Sequence, residues 1–103
     1  MSKFIFTYTG GTAPQSPAEG DAVMAAWMAW FGELGSSVID GGNPFADAKT
    51  VAADGSVSDG GSSSLGGYSI VEATDLDDAV NKAKGCPVLS AGGAVDVYTA
   101  MDM

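Results

Sequence analysis

The sequence contains no arginine and no histidine, and four lysines face 13 acidic residues, which gives a formal net charge of −9. Nucleic-acid binding requires cations that neutralise phosphates, so this charge excludes a nucleic-acid partner. Anionic membrane surfaces are disfavoured for the same reason. The absence of arginine also removes the bidentate clamp that proteins commonly use for carboxylates and phosphates.

Cysteine and long apolar runs are also scarce. Cys86 is the only cysteine, so no disulfide can form within the chain, and this fits a reducing compartment. The longest uncharged apolar run, 22–31, covers about 15 Å of helix, which is half of a bilayer core. The first residues enter a strand-like pattern without the apolar segment of a signal peptide. We therefore expect a cytoplasmic protein that needs no cofactor.

The residues that are present follow a regular order of strand-like and helix-like patterns. Alternating aromatic and β-branched residues predict strands, and apolar residues at three- and four-residue spacing predict helices. The predicted order is a strand over 3–9, a helix over 17–34, a strand over 37–40, a short ribbon formed by 49–51 and 56–58, a strand over 68–73, a helix over 75–84 and a strand over 94–99. Glycine, serine, aspartate and alanine dominate 41–67, which we treat as a long loop that is either functional or mobile.

The first predicted helix has a strong start and an unusually apolar surface. Ser16 is placed to cap it, Pro17 suits its first position, and Glu19 can complete a capping box. Its apolar stripe needs cover on more than one side, which a second subunit, the end of the chain or the long loop would supply. The stripe consists of Val23, Trp27, Trp30, Phe31 and Leu34, widened by Met24 and Met28.

The element order β-α-β, long loop, β-α-β predicts an α+β fold in which a ferredoxin-like sheet carries both helices on one face. The other sheet face would then be bare, and bare apolar sheet faces are usually covered by a partner. A chain of 103 residues is long enough for one domain and short for two. We therefore expect a single domain over 1–103 that forms a homodimer.

Three stretches of the sequence form a recognisable set. They are Trp30-Phe31 with Glu33-Leu34-Gly35, then Asp40-Gly41-Gly42 with Pro44, then Gly66-Gly67-Tyr68 with Ile70-Val71-Glu72-Ala73, Asp75-Leu76-Asp77, Ala79 and Ala83-Lys84-Gly85-Cys86-Pro87. In this order, and over nearly the whole chain, they resemble the YCII-related (DGPF-like) family. The resemblance implies a ferredoxin-like sheet that pairs into a dimeric α+β barrel.

The functional residues of that family are only partly present. Its name-giving motif, Asp-Gly-Pro-Phe, is matched by Asp59-Gly60-Gly61-Ser62, which keeps the aspartate and the first glycine and lacks the proline and the phenylalanine. The helix histidine that is proposed to pair with an aspartate in the YCII branch is replaced by Trp27. The resemblance therefore implies the fold and not a reaction.

Asp59 is the candidate catalytic residue, because it lies among glycines and serines in the long loop. If this loop folds over a cleft, partial burial would allow the carboxylate to act as a general acid or base. The alternative is a solvated aspartate that favours a turn. We expect no metal site, because the spacing of Asp54 and Asp59 is not that of a calcium-binding EF-hand loop and zinc ligands are missing.

The candidate ligand-binding residues are Trp27, Trp30, Tyr8 and Tyr68. Clefts that combine aromatic walls with few polar groups are common sites for planar metabolites. The alternative is an ordinary core between helix and sheet, which the helical spacing favours. Because a chain of charge −9 repels anions, we expect any ligand to be neutral or cationic.

Three functions stay open at this point. The first is a small-molecule-binding or accessory domain that acts as a homodimer, the second is a cofactor-free enzyme that uses Asp59, and the third is a protein-interaction module that docks through its apolar helix. An enzyme needs an open, partly polar pocket near Asp59. A binding domain needs a pocket but tolerates substitution of Asp59. An interaction module leaves an exposed apolar patch after dimerisation.

Overall fold

The computed structural model describes residues 1–60 and 64–102, which contain six strands and two α-helices. In chain order these are β1 (Ser2–Thr9), α1 (Pro17–Leu34), β2 (Val38–Asp40), β3 (Lys49–Val51), β4 (Val57–Asp59), β5 (Leu65–Ala73), α2 (Leu76–Ala83) and β6 (Ala94–Thr99). The α+β prediction is confirmed. The main difference is that β5 begins at Leu65, earlier than predicted, so the long loop is shorter than its composition suggests.

Four strands form one antiparallel sheet in the order β2-β5-β1-β6. The central strand, β1, places Phe6 opposite Ser69 of β5 and opposite Val97 of β6. The helix α1 connects β1 with β2, which are separated by β5, and α2 connects β5 with β6, which are separated by β1. This is the ferredoxin-like arrangement that the element order predicted. The strands β3 and β4 form the predicted ribbon, a separate hairpin in which Val51 lies opposite Val57.

The start of α1 uses the predicted capping residues. The Ser16 hydroxyl accepts a hydrogen bond from the Glu19 N–H at 3.2 Å, and the Glu19 carboxylate accepts one from the Gln15 N–H at 2.7 Å. Gly35 ends the helix with a φ of 56°, a value that glycine adopts without strain. Within the described ranges, neither helix combines the length and hydropathy needed to cross a membrane.

The second helix, α2, is short and carries small side chains toward the sheet. Either Thr74 or Asp75 could cap its first turn, and the structure shows that Asp75 does so. Ala79 and Ala83 are buried. The helical spacing of Leu76, Ala79, Val80 and Ala83 predicts that all four are buried. This is wrong for Leu76 and Val80, which are exposed, because a helix of this length contacts the sheet along one narrow line. That line passes through the alanines.

The hydrophobic core lies on one face of the sheet, beneath both helices. Phe4, Phe6 and Val71 have almost no exposed surface, and Trp30 is the buried residue of α1. Burial of each of these side chains contributes about 2–3 kcal/mol. The remaining members of the core are Tyr8, Ala73, Ala79, Ala83 and Cys86, with Trp27, Phe31 and Leu34 packed against them.

No helix of the described residues covers the opposite face of the sheet. Ile5 pairs with Ile70 on one side and with Tyr98 on the other, so these three side chains share this face. Thr7 lies on the same face and is buried, and its hydroxyl has no hydrogen-bond partner among the described residues. The molecule measures only 19 Å in its shortest dimension, which fits one sheet with one helical layer.

Candidate functional site

A cleft of about 1260 Å³ lies between α1 and a short 3₁₀ helix, Pro87–Leu89, that follows α2. One wall is the side of α1 on which three alanines lie between Glu19 and Glu33, and the other belongs to the 3₁₀ helix and the turn after it. The two walls are formed by Ala22, Ala26 and Ala29 on α1 and by Pro87, Val88 and Ala91 opposite. Because the alanines follow one another at helical spacing, they leave space along the middle two turns of the helix.

The floor of the cleft is aromatic. Trp30 is buried, and its indole N–H donates a hydrogen bond to the Lys82 carbonyl at 3.1 Å, which fixes the ring. Trp27 meets Trp30 edge-to-face, with 5.6 Å between the ring centroids. Both tryptophans line the cleft, but only Trp27 is partly exposed. A ligand in the cleft would therefore contact mainly the ring of Trp27.

Glycines close one end of the cleft where β1 ends and β6 begins. Gly10 lines the cleft and has a φ of +70°. A Cβ atom at Gly93 would lie 2.6 Å from the Thr9 carbonyl oxygen, so only glycine fits this close approach. The Thr12 N–H donates a hydrogen bond to the Ala91 carbonyl at 2.9 Å, which ties the turn after β1 to the wall opposite α1.

Polar side chains lie among the cleft-lining residues and are exposed to solvent. They are Thr12, Gln15, Glu19, Glu33 and Ser90. Glu19 and Glu33 are the only charged members, and none of the four lysines, all of which are described, lines the cleft. The cleft is therefore an apolar groove bordered by negative charge, which disfavours anionic ligands.

Tyr8 supports the floor from below and is absent from the lining. Its ring meets Trp27 edge-to-face, with 5.0 Å between the centroids. Its hydroxyl donates a hydrogen bond to the Ser69 hydroxyl at 2.7 Å, and Ser69 donates to the Gly41 carbonyl at 2.6 Å. Burial raises the pKa of the Tyr8 phenol far above its ordinary value, and the bond to Ser69 offsets this only in part. The phenol is therefore neutral and holds Trp27 in place.

Tyr68 lies on the other face of the sheet. It is directly opposite Thr7, and its hydroxyl donates a hydrogen bond to the Asp40 carboxylate at 3.3 Å. Its ring stacks on Phe45, with 5.8 Å between the centroids. The structure therefore brings three of the four predicted aromatic residues together on the helix side of the sheet and leaves Tyr68 apart.

Asp59 lies at the base of the β3–β4 hairpin, outside the cleft lining. Its side chain is 92% exposed and accepts a hydrogen bond from the Lys49 ammonium at 2.6 Å. It borders a hollow of about 650 Å³ together with Asp47 and Ser64. Gly61 and Ser62, which complete the motif that begins at Asp59, lie outside the described residues. The catalytic role of Asp59 stays a prediction.

Side chains that could bind a metal ion are not clustered in the described part of the chain. Among residues 1–60 and 64–102, no group of three or more cysteine or acidic side chains is placed to hold a metal ion.

Sequence reasoning missed the alanine wall of the cleft. The available signal was the spacing of Ala22, Ala26 and Ala29, which we interpreted as part of a generally apolar helix. The position of Pro87–Leu89 opposite those alanines depends on how α2 packs, and no local pattern indicates it.

The comparisons with known proteins show the fold. The chain matches no family profile and no curated protein sequence. It is similar in structure to 5-chloro-2-hydroxyhydroquinone dehydrochlorinase (TftG) from Burkholderia phenoliruptrix AC1100, solved in complex with 2,5-dihydroxybenzoquinone. The TM-score is 0.60 at 21% sequence identity, and the alignment covers 98% of this chain and 95% of that chain. The two proteins therefore share one α+β fold over nearly their whole lengths.

Proposed function

We propose that the chain is a YCII-like domain that binds a small planar molecule in the cleft between α1 and Pro87–Leu89. The cleft itself carries this proposal, because it combines apolar walls, an aromatic floor and few polar groups, which is the usual composition of a ligand site. The dehydrochlorinase of the same fold was solved with 2,5-dihydroxybenzoquinone. This molecule is a flat ring, which supports the proposal of a planar ligand. The family assignment rests on the sequence resemblance together with the shared fold.

The ligand that we propose is neutral or cationic. The lining carries Glu19 and Glu33 and no lysine, and the chain has a net charge of −9. A negatively charged metabolite would have to overcome both fields to enter. Tight, saturable binding of a multivalent anion such as ATP would contradict this part of the proposal.

We further propose that the protein acts as a cytoplasmic homodimer in which a second copy covers the open sheet face. Ile5, Ile70 and Tyr98 form an apolar row on this face, and such rows are usually covered. The buried Thr7 hydroxyl lacks a partner among the described residues, and buried polar groups are rarely left unpaired. The single cysteine is consistent with a reducing compartment.

The dimer is tested by replacing Ile70 with Asp and measuring the solution mass at micromolar concentrations by sedimentation. We expect two chains for the unsubstituted protein and one chain for Ile70→Asp, because dimerisation would then bury an unpaired carboxylate on the apolar face. Val51→Asp is the matched control, since Val51 is an exposed apolar residue of the hairpin. A mass of one chain for the unsubstituted protein would refute the dimer.

The binding function is tested by a thermal-shift screen against a broad panel of metabolites. A ligand that binds only the folded state stabilises it by about 2.7 kcal/mol at one hundred times its dissociation constant. Every hit is then repeated with Ala26→Trp, which fills the cleft from the α1 wall. Ala25→Trp is the control, because Ala25 is exposed on α1 and does not line the cleft.

The proposal expects hits that Ala26→Trp abolishes and Ala25→Trp preserves. Hits that survive Ala26→Trp would place the ligand elsewhere and contradict the proposal. A panel without hits would favour the interaction module, for which α1 offers Met24 and Met28, exposed at 63% and 70%.

The enzymatic alternative, with Asp59 as a general acid or base, is tested separately. Any ligand from the screen is assayed for turnover with the unsubstituted protein, with Asp59→Asn and with Asp54→Asn as a control in the same hairpin. Loss of turnover only in Asp59→Asn would support the catalytic role. Equal rates in all three proteins would remove it.

A further inference from the structure

The two carboxylates of the cleft, Glu19 and Glu33, lie at opposite ends of α1. The helix stabilises a negative charge at one of these ends and not at the other. Glu19 lies in the first turn of α1, where it bonds to the Gln15 N–H at 2.7 Å. A carboxylate at this end is favoured by the helix dipole. The position of Glu19 is therefore accounted for by the start of the helix alone.

Glu33 lies at the opposite end, in the last turn of α1, which contains no basic residue. Carbonyl groups without helical partners make this end of a helix partly negative, so an acidic side chain here is unfavourable. Neither of the ion pairs formed within the described ranges involves Glu33. Nothing in the helix itself compensates this carboxylate, although it lines the cleft.

Two features near Glu33 favour a cationic group, namely the other residues of the cleft lining and the negative end of the α1 dipole. Trp30, three residues before Glu33 on α1, lines the same cleft, and so does Gly85. A Cβ atom at Gly85 would lie 3.1 Å from the Trp30 ring, so this glycine allows the chain after α2 to pack closely against the ring. A positive charge held here would meet both the Glu33 carboxylate and the negative end of the α1 dipole.

We infer that Glu33 selects ligands with a positively charged group, an amine attached to an apolar ring, whose ring lies over Trp27. This inference rests on the proposed binding function of the cleft and makes its ligand class narrower. Glu33 would determine specificity and would take no part in a covalent step.

The test uses three probes that share a phenyl ring and a short chain and differ in charge. They are 2-phenylethylamine (cationic), 2-phenylethanol (neutral) and 3-phenylpropanoate (anionic). Binding is followed at low salt through tryptophan fluorescence, because Trp27 is the partly exposed ring of the floor. We expect the amine to bind most tightly and the anion least tightly.

The decisive variant is Glu33→Gln, which removes the charge and keeps the size of the side chain. We expect it to weaken amine binding about fivefold, which corresponds to about 1 kcal/mol, and to leave alcohol binding unchanged. Asp21→Asn is the control, since Asp21 is exposed on α1 and outside the lining, and its loss changes the net charge equally.

Two results would overturn the inference and leave the proposed function intact. One is alcohol binding that equals amine binding in the unsubstituted protein. The other is an Asp21→Asn protein that loses as much amine affinity as Glu33→Gln, since net charge would then explain the preference. If none of the three probes binds and the metabolite panel also fails, both the inference and the proposed function fall.

Discussion

Both faces of the sheet carry aromatic residues, but only the aromatic residues on the helix side are packed into the core of the single chain. On the helix side, Phe6, Tyr8 and Trp30 are buried in one continuous cluster. On the open side, Tyr98 is half exposed and Tyr68 stacks only on Phe45 within the described residues. One face thus completes its packing within a single chain, and the other does not.

Different surfaces of the molecule contribute to the stability of the fold and to the proposed ligand site. The side of α1 that faces the sheet contributes large rings to the core, whereas its neighbouring side contributes alanines and leaves the cleft. The same helix therefore stabilises the fold and shapes the proposed site. The open face takes part in neither role within one chain, which is why we assign it to a second copy.

We expect the largest change in the free energy of unfolding when one substitution on the covered face is compared with one on the open face. Phe6→Ala on the covered face should lower the free energy of unfolding by about 3–5 kcal/mol, because Phe6 is fully buried. Ile5→Ala on the open face should cost less than half of that in a single chain, since Ile5 is only partly buried. Urea unfolding monitored by circular dichroism gives both values.

The same two substitutions can be compared at several protein concentrations. If a second copy covers the open face, the cost of Ile5→Ala should grow as the concentration rises through the dimerisation range, and the cost of Phe6→Ala should stay nearly constant. Equal costs for the two variants at the lowest concentration would contradict the assignment of the core to one face.

A smaller effect concerns the pH dependence of the covered face. Burial raises the pKa of the Cys86 thiol from 9.0 to about 11. Below pH 9 the thiol is protonated in both states and contributes no slope. Between about pH 9 and 11 only the unfolded chain loses the proton, so stability should fall with rising pH, by up to about 2 kcal/mol.

The control for this prediction is Cys86→Ala, which lacks the thiol and retains the other titrating groups. The difference in unfolding free energy between the two proteins should shrink across this pH range. A constant difference from pH 8 to pH 11 would show that Cys86 is not buried as described.

The smallest effect concerns how firmly α2 is held on the covered face. Asp75 accepts a hydrogen bond from the Asp78 N–H at 2.8 Å, so Asp75→Ala should cost about 1 kcal/mol. Asp77→Ala is the control in the same turn, since Asp77 forms no side-chain hydrogen bond within the described part of the chain. Equal losses for the two variants would indicate a charge effect at the helix start and not a cap.

Local chemistry explains what the sequence predicted well. Ser16 caps α1 as predicted, because a side-chain oxygen near a free N–H needs no distant partner. The alternation of Phe4, Phe6 and Tyr8 along the chain places them on one face of β1, and all three are buried. The order of strands followed from the element order, because few arrangements satisfy two β-α-β connections.

The candidate site was only partly predictable, since it depends on packing between distant segments. Tyr68 faces away from the tryptophans because of the register between β1 and β5, and a shift of one residue would reverse it. The cleft exists because Val88 stands opposite the α1 alanines. Whether Asp59 lies in a cleft or in solvent depends on the path of a glycine-rich loop, which local patterns do not determine.

The most direct test of a ligand site on the helix side is a ¹⁵N–¹H NMR titration with 2-phenylethanol. We expect shifts at the Trp27 indole N–H and at the amides of Ala26 and Ala91, which line the cleft. The Trp30 indole should move less, because its N–H is bonded to the Lys82 carbonyl. Shifts concentrated instead at Tyr68 and Ile70 on the open face would contradict the account.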